Sequence, residues 1–105
     1  MTDIGQYILV DGMPTPEPDI LKWGRWFEQA REARIVAKTD IGENVHVSTV
    51  FLALDHSFGG DRPLLWETMI FGGPHDQETW RYSSRAEAEA GHLDAVAVAR
   101  GEREP

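Results

Sequence analysis

The chain has 105 residues, a length typical of one domain, and its aromatic and apolar content is that of a globular protein rather than a disordered one. The absence of cysteine excludes disulfides and thiolate metal sites, and a formal charge of −8 disfavours direct nucleic-acid binding, because phosphate contacts need lysine and arginine. No apolar run approaches the ~20 residues of a membrane span, and the first residues do not resemble a signal peptide, so we expect no membrane association and a location in the cytoplasm.

The first third of the chain predicts a strand, an extended segment and a helix. Residues 7–10 are apolar and predict a short strand that ends in a turn at Asp11 and Gly12. Alternate prolines in residues 13–18 predict an extended, rigid segment. A helix over residues 18–32 is then predicted by an apolar stripe at helical spacing: Ile20, Trp23, Phe27 and Ala30.

Two residues of this helix have assigned roles. Asp19 is well suited to cap the first turn, because its carboxylate can accept hydrogen bonds from free backbone N–H groups. Gly24 is unfavourable inside a helix, and we expect it to allow close packing of the helix on a sheet.

Four consecutive strands are predicted in the middle of the chain, over residues 34–39, 45–54, 64–71 and 78–83. The second half of the longest strand is apolar on both faces, so we expect both sides to be covered there. The glycine pairs after Phe58 and Phe71 predict turns that need positive φ.

Ser84 and Glu87 have the spacing of a capping box and predict a second helix over residues 85–99, followed by a frayed tail at 100–105. The predicted buried stripe of this helix is Ala86, Ala90, Leu93 and Ala97. Because strands and helices do not alternate, the order predicts an α+β fold: an antiparallel meander of four to five strands with two helices packed on it, in a single domain over residues 1–105.

Asp55 and His56 follow the longest strand and carry ligand atoms that divalent metals bind. With Glu67 and His92 they suggest a metal-assisted hydrolase or small-ligand site, although no metalloenzyme motif spacing is present. The alternative is structural: Asp55 caps the loop and His56 bonds its backbone. No nucleophile elbow or phosphate loop occurs, so the sequence favours binding over catalysis and indicates no cofactor.

Glu67 lies in the middle of an apolar strand. A carboxylate that faced the core would have to pair with Arg81 or a histidine, whereas one that faced solvent would be an ordinary surface group. Its neighbours favour a half-buried or interface position. Further candidates for partner binding are Trp26, which lies beside the apolar stripe of the first helix, and three acids of the second helix, Glu87, Glu89 and Asp94.

The segments STVFLALDHSFGG, PLLWETMIFGG and YSSRAEAEAGH resemble a family of short bacteriophage and prophage proteins to which no biochemical function is attached. The resemblance extends from about Trp23 to His92, with Trp66 where the family more often has Phe. It implies a phage context and a small cytosolic accessory protein, and it contributes no catalytic residues.

The leading hypothesis is therefore an acidic phage-type accessory protein that binds a host or phage protein, for example to inhibit a host defence or nucleic-acid enzyme. We expect charge reversals at Glu87, Glu89 and Asp94 to weaken such binding without unfolding the protein. The alternatives are the metal-assisted hydrolase or small-ligand protein, and a structural or virion-associated homodimer that forms through an exposed sheet edge.

Overall fold

A computed structural model describes residues 5–57 and 60–105, and these contain two helices and six strands. In chain order the elements are β1 (Tyr7–Val10), β2 (Met13–Pro16), α1 (Ile20–Gln29), β3 (Ile35–Ile41), β4 (Val45–Phe51), β5 (Trp66–Phe71), β6 (Thr79–Tyr82) and α2 (Arg85–Ala99). The four strands β3 to β6 form an antiparallel meander, which confirms the predicted α+β class. The first two strands form a separate two-stranded sheet.

The two-stranded sheet is a tight hairpin. Asp11 and Gly12 both have positive φ, 50° and 79°, as a two-residue turn of this hand requires. The closing pair of such a turn exchanges hydrogen bonds, and so does every second pair after it. Pro14 and Pro16 therefore occupy positions whose backbone nitrogen points away from β1, where a missing N–H does no harm.

The strands of the meander each present one buried face. In β4 the side chains of Val47, Thr49 and Phe51 are fully buried, while those on the opposite face are not. The expected cover on both sides is missing: Val50 stays half-buried, and Leu54, just past the strand, is 38% exposed. The reason is that both helices pack on the same side of the sheet.

Two apolar clusters join the helices to that side. One contains Val47 and Ile70 of the sheet, packed against the C-terminal half of α2. The other centres on Phe51 and Trp66, and receives the aromatic side chains of α1 and part of the hairpin. Among the described residues, no helix is both long and apolar enough to cross a membrane.

Helix α2 spans the predicted residues, and Ser84 caps it by accepting a 3.1 Å hydrogen bond from the Glu87 N–H. Its predicted buried stripe is wrong. Leu93 is 70% exposed, and Ala86 and Ala90 are exposed too. The buried side chains are instead Ala88, His92, Ala95, Val96 and Val98. The prediction admitted only apolar residues to the buried stripe, so it missed a buried face that has a histidine at its centre.

Helix α1 is shorter than predicted, and Asp19 caps it through bonds from the Leu21 and Lys22 backbone. The role expected for Gly24 is wrong, because none of the described residues beyond its own helix lies within 4 Å of where its Cβ would be. Close packing occurs at Gly91 in α2, where a Cβ would overlap the Tyr82 phenol. At the turn after β5, Gly72 has a φ of 88°, as predicted. The earlier glycine pair is described only at Gly60, since residues 58 and 59 lie outside the described ranges.

Candidate protein-binding face

The second face of the four-stranded sheet has no helix packed on it within the described residues; we call it the open face. The strand register arranges its side chains in three cross-strand rows. The rows comprise Asp40, His46 and Phe71; Lys38, Ser48, Met69 and Thr79; and Ile35, Val50, Glu67 and Arg81.

Apolar and aromatic side chains run through the middle of the open face. The rings of His46 and Phe71 stack with their centroids 4.8 Å apart and an interplanar angle of 19°. Phe71 is 37% exposed, and Val50 and Met69 are half-buried. This is an apolar band with a polar rim, the arrangement that marks interaction surfaces on soluble proteins.

A shallow groove runs along β3 and β4 on this face. One depression, of about 470 Å³, is lined by Lys38, Asp40, His46, Ser48 and Phe71. A second, of about 550 Å³, is lined by Arg31, Glu32, Arg34, Ile35, Lys38, Ser48 and Val50. Both include Lys38 and Ser48, so the two depressions adjoin, and we call them together the groove; its lining carries mixed charges.

Glu67 belongs to the open face and does not point into the core. Its cross-strand partner is Arg81, whose Nε donates a 3.1 Å hydrogen bond to the Glu67 carboxylate. The Glu67 side chain is only 15% exposed, while that of Arg81 is 40% exposed. The pair therefore satisfies a half-buried carboxylate beside the apolar band, and it leaves no isolated acid for catalysis.

The loop that begins at Asp55 has the hydrogen bonds expected if Asp55 and His56 stabilise the loop rather than bind a metal. The Asp55 carboxylate accepts bonds from the backbone N–H groups of Ser57 (2.8 Å) and Leu64 (3.0 Å). Burial alone would raise the pKa of Asp55, but these bonds outweigh it and lower the pKa. His56 Nδ1 lies 2.8 Å from the Leu54 carbonyl oxygen, to which it donates.

His92, the other proposed ligand, lies inside the core on the helix-covered side of the sheet. Its Nε2 is 2.8 Å from the Thr39 hydroxyl and its Nδ1 is 2.7 Å from that of Thr49, so both ring nitrogens are engaged. The Thr49 hydroxyl is in turn 2.6 Å from that of Thr68. Burial lowers the pKa of His92. Within the described ranges, no three His, Cys, Asp or Glu side chains are placed to hold a metal ion together.

The three acids proposed for partner binding all lie on the exposed side of α2, and each has a basic neighbour. Glu87 is 3.3 Å from Arg62, Glu89 is 3.5 Å from Arg85, and Asp94 is 2.8 Å from Arg103. The hydrogen bond from Ser84 is the main cause that lowers the pKa of Glu87. The outer side of α2 is thus a surface of exposed ion pairs rather than a bare acidic patch.

Trp26, the aromatic residue proposed for a partner, is half-buried. Its ring meets that of Phe51 edge-on, with centroids 6.0 Å apart. The most exposed apolar side chains in this part of the protein are instead Val10, Met13, Ile20 and Leu21, of the hairpin and the start of α1.

Sequence reasoning placed Met69 and Phe71 on the same face as Glu67, but it did not single out Lys38 and His46. For His46 the signal was present in the alternation of residues 45–48, where His46 and Ser48 are polar and Val45 and Val47 are apolar. Alternation shows which side chains of one strand share a face, but not which residues of the adjacent strands lie beside them. The His46–Phe71 stack became visible only with the register between β4 and β5.

Comparison with known proteins adds no relative. No protein-family model matches the chain, and no curated protein or solved structure matches it.

Proposed function

We propose that the protein acts by binding another protein through the open face of its four-stranded sheet. The observation that carries this proposal is the apolar band around the His46–Phe71 stack, which no part of the described chain covers. Burying such a band against a partner removes apolar surface from water, the main driving force in most protein association.

The charges of the groove suit a protein partner. The whole chain carries −8, yet the groove has three cations, Arg31, Arg34 and Lys38, against two acids, Glu32 and Asp40. A mixed surface of this kind matches the polar rim of a protein interface, whereas a phosphate backbone would need a dense basic stripe.

Arg34 offers a further point of attachment at the end of the groove. Its guanidinium carbon lies 3.7 Å from the centre of the Phe27 ring, and burial together with Arg31 lowers its pKa. Among the described residues, its Nε is a buried donor without a hydrogen-bond partner. Because this atom is buried, Arg34 would meet a partner through the part of its side chain that lines the groove.

The narrower form of the proposal is an accessory phage protein that blocks a host defence or nucleic-acid enzyme from within the host cell. Its support is the resemblance of the chain to short phage proteins, its acidity, and the lack of a catalytic motif in the sequence. The open face supplies the surface through which such an inhibitor would act.

The test is a pull-down from a bacterial lysate with tagged wild type and two matched variants. Met69→Arg places a charge in the middle of the open face, and Leu21→Arg places the same charge on exposed apolar surface elsewhere. We expect a partner that wild type and Leu21→Arg retain, and that Met69→Arg binds at least about tenfold more weakly, a loss of about 1.4 kcal/mol.

Circular dichroism melting controls for folding of each variant. A partner that Met69→Arg retains and Leu21→Arg loses would contradict the open face as the binding surface. A third variant, with Glu87, Glu89 and Asp94 changed to lysine, tests the acidic side of α2. Loss of the partner in that variant alone would show that the partner binds α2 rather than the open face.

A further inference from the structure

The strand β3 forms one edge of the four-stranded sheet and is seven residues long. Among the described residues, no backbone hydrogen bond from another segment reaches the outer side of Ala37 to Ile41. The opposite edge, β6, has four residues, and residues 103–105 lie beside it across a cavity of about 140 Å³. The edge that is ready to accept another strand is therefore β3.

The regular part of β3 has a definite centre. A register shift between Ile35 and Ala37 interrupts the pairing with β4, and from Ala37 to Ile41 the pairing is continuous. These five residues are centred on Thr39. If two identical strands pair antiparallel about a two-fold axis, one residue must lie opposite its own copy, and Thr39 is the choice that uses the whole regular segment.

The charges beside Thr39 are self-complementary. Lys38 and Asp40 are both exposed and both project on the open face. With Thr39 on the axis, Lys38 lies opposite the partner's Asp40, and Asp40 lies opposite the partner's Lys38. Pairing centred on Lys38 or on Asp40 would instead place like charges opposite each other, which is destabilising.

Helix α2 exposes a large apolar side chain on the side that leads to β3. Gly91 and Asp94 line the cavity beside β6. Leu93 follows Gly91 by two residues, about 200° around the helix, and so projects the other way. It is 70% exposed. A second copy paired at β3 brings its own α2, with an exposed Leu93, to the same side of the joined sheet.

We propose that the protein forms a two-fold symmetric dimer through antiparallel pairing of its β3 strands, with Thr39 on the axis and Lys38 and Asp40 paired between copies. The two meanders then form one eight-stranded sheet. Both open faces lie on the same side of this sheet, and Lys38 and Asp40, which line the groove, also form the seam between the two copies.

The experiment is sedimentation equilibrium of the full chain, with reciprocal charge changes. Wild type sediments as a species of twice 11.8 kDa. In Lys38→Asp positions 38 and 40 are both acidic, and in Asp40→Lys both are basic, so like charges lie opposite each other in either homodimer. Each variant alone therefore shifts toward monomer, with at least a tenfold weaker association. The double variant Lys38→Asp/Asp40→Lys restores the opposite pairs and the dimer, and an equimolar mixture of the two single variants forms a heterodimer.

A wild-type monomer across the concentration range would overturn the proposal, as would a dimer whose association neither single change weakens. Failure of the double variant to regain the dimer, with folding confirmed by circular dichroism, would exclude the register centred on Thr39. The measurement needs no partner protein, so its failure would leave the binding role of the open face standing.

Discussion

A buried histidine has to be neutral or paired with an anion, and the hydrogen-bond partners of His92 are hydroxyl groups. The neutral ring has one donor and one acceptor nitrogen, which match the hydroxyls of Thr39 and Thr49. These threonines lie 53 and 43 positions away in the chain. The sequence therefore could not distinguish a core histidine from a metal ligand, because the distinction depends on strands that only the fold brings together.

We expect the free energy of unfolding to depend on pH through His92. Its pKa is lowered in the folded protein by burial, while the unfolded chain binds a proton near the ordinary value of about 6.5. Below that pH the unfolded state holds more protons, so the contribution of His92 to the free energy of unfolding is full well above pH 6.5 and is lost as the pH decreases. The slope for one proton is at most about 1.4 kcal/mol per pH unit.

Urea unfolding of wild type and His92→Gln between pH 7.5 and 5.5 measures this slope. Glutamine can donate and accept a hydrogen bond but does not titrate, so the variant should be less stable at pH 7.5 and less sensitive to pH. Equal slopes in the two proteins would show that His92 is not the group that titrates.

At the scale of elements, local sequence signals predicted where the helices lie along the chain but not which of their sides are buried. The capping box gave the start of α2, and Asp19 was correctly expected to cap α1, although that helix spans Ile20–Gln29 rather than the predicted residues 18–32. The buried side of α2 was mispredicted because Leu93 was taken as core and His92 was not. Hydrophobicity alone does not show that threonine hydroxyls on the covered side of the sheet can hydrogen-bond a polar side chain of the helix.

The two helical glycines give a paired prediction at this scale. Gly24→Ala in α1 meets open space, so the gain in helix propensity should stabilise the protein by about 0.5–1 kcal/mol. Gly91→Ala in α2 gains the same propensity, but the new methyl group overlaps Tyr82. We expect a net destabilisation of about 1–3 kcal/mol, as for overpacking elsewhere.

Free energies of unfolding from urea titrations at pH 7.5 measure both changes. If Gly91→Ala proved as stable as Gly24→Ala, α2 would not lie as close to β6 as the structure has it. The comparison isolates packing, because the substitution is the same in both helices.

At the scale of the whole molecule, the chain divides its sheet into a covered and an open side. Sequence order was enough to predict an antiparallel meander with two helices, since no strand–helix–strand alternation is present. It did not show that β1 pairs with the proline-bearing β2 rather than with the meander. It also favoured two helices on one face of the sheet, as the structure has them, and this leaves the opposite rows of side chains free for a partner.

Thiol labelling tests this division of the sheet and its proposed use most directly, because the natural chain has no cysteine. Val47 and Ser48 are neighbours in β4, the first fully buried under α2 and the second half-buried on the open face. We expect Ser48→Cys to label rapidly in the purified protein and slowly in complex with the retained partner, and Val47→Cys to label only on unfolding. Equal labelling of Ser48→Cys with and without the partner would contradict binding through the open face, and rapid labelling of Val47→Cys in the folded protein would contradict the fold.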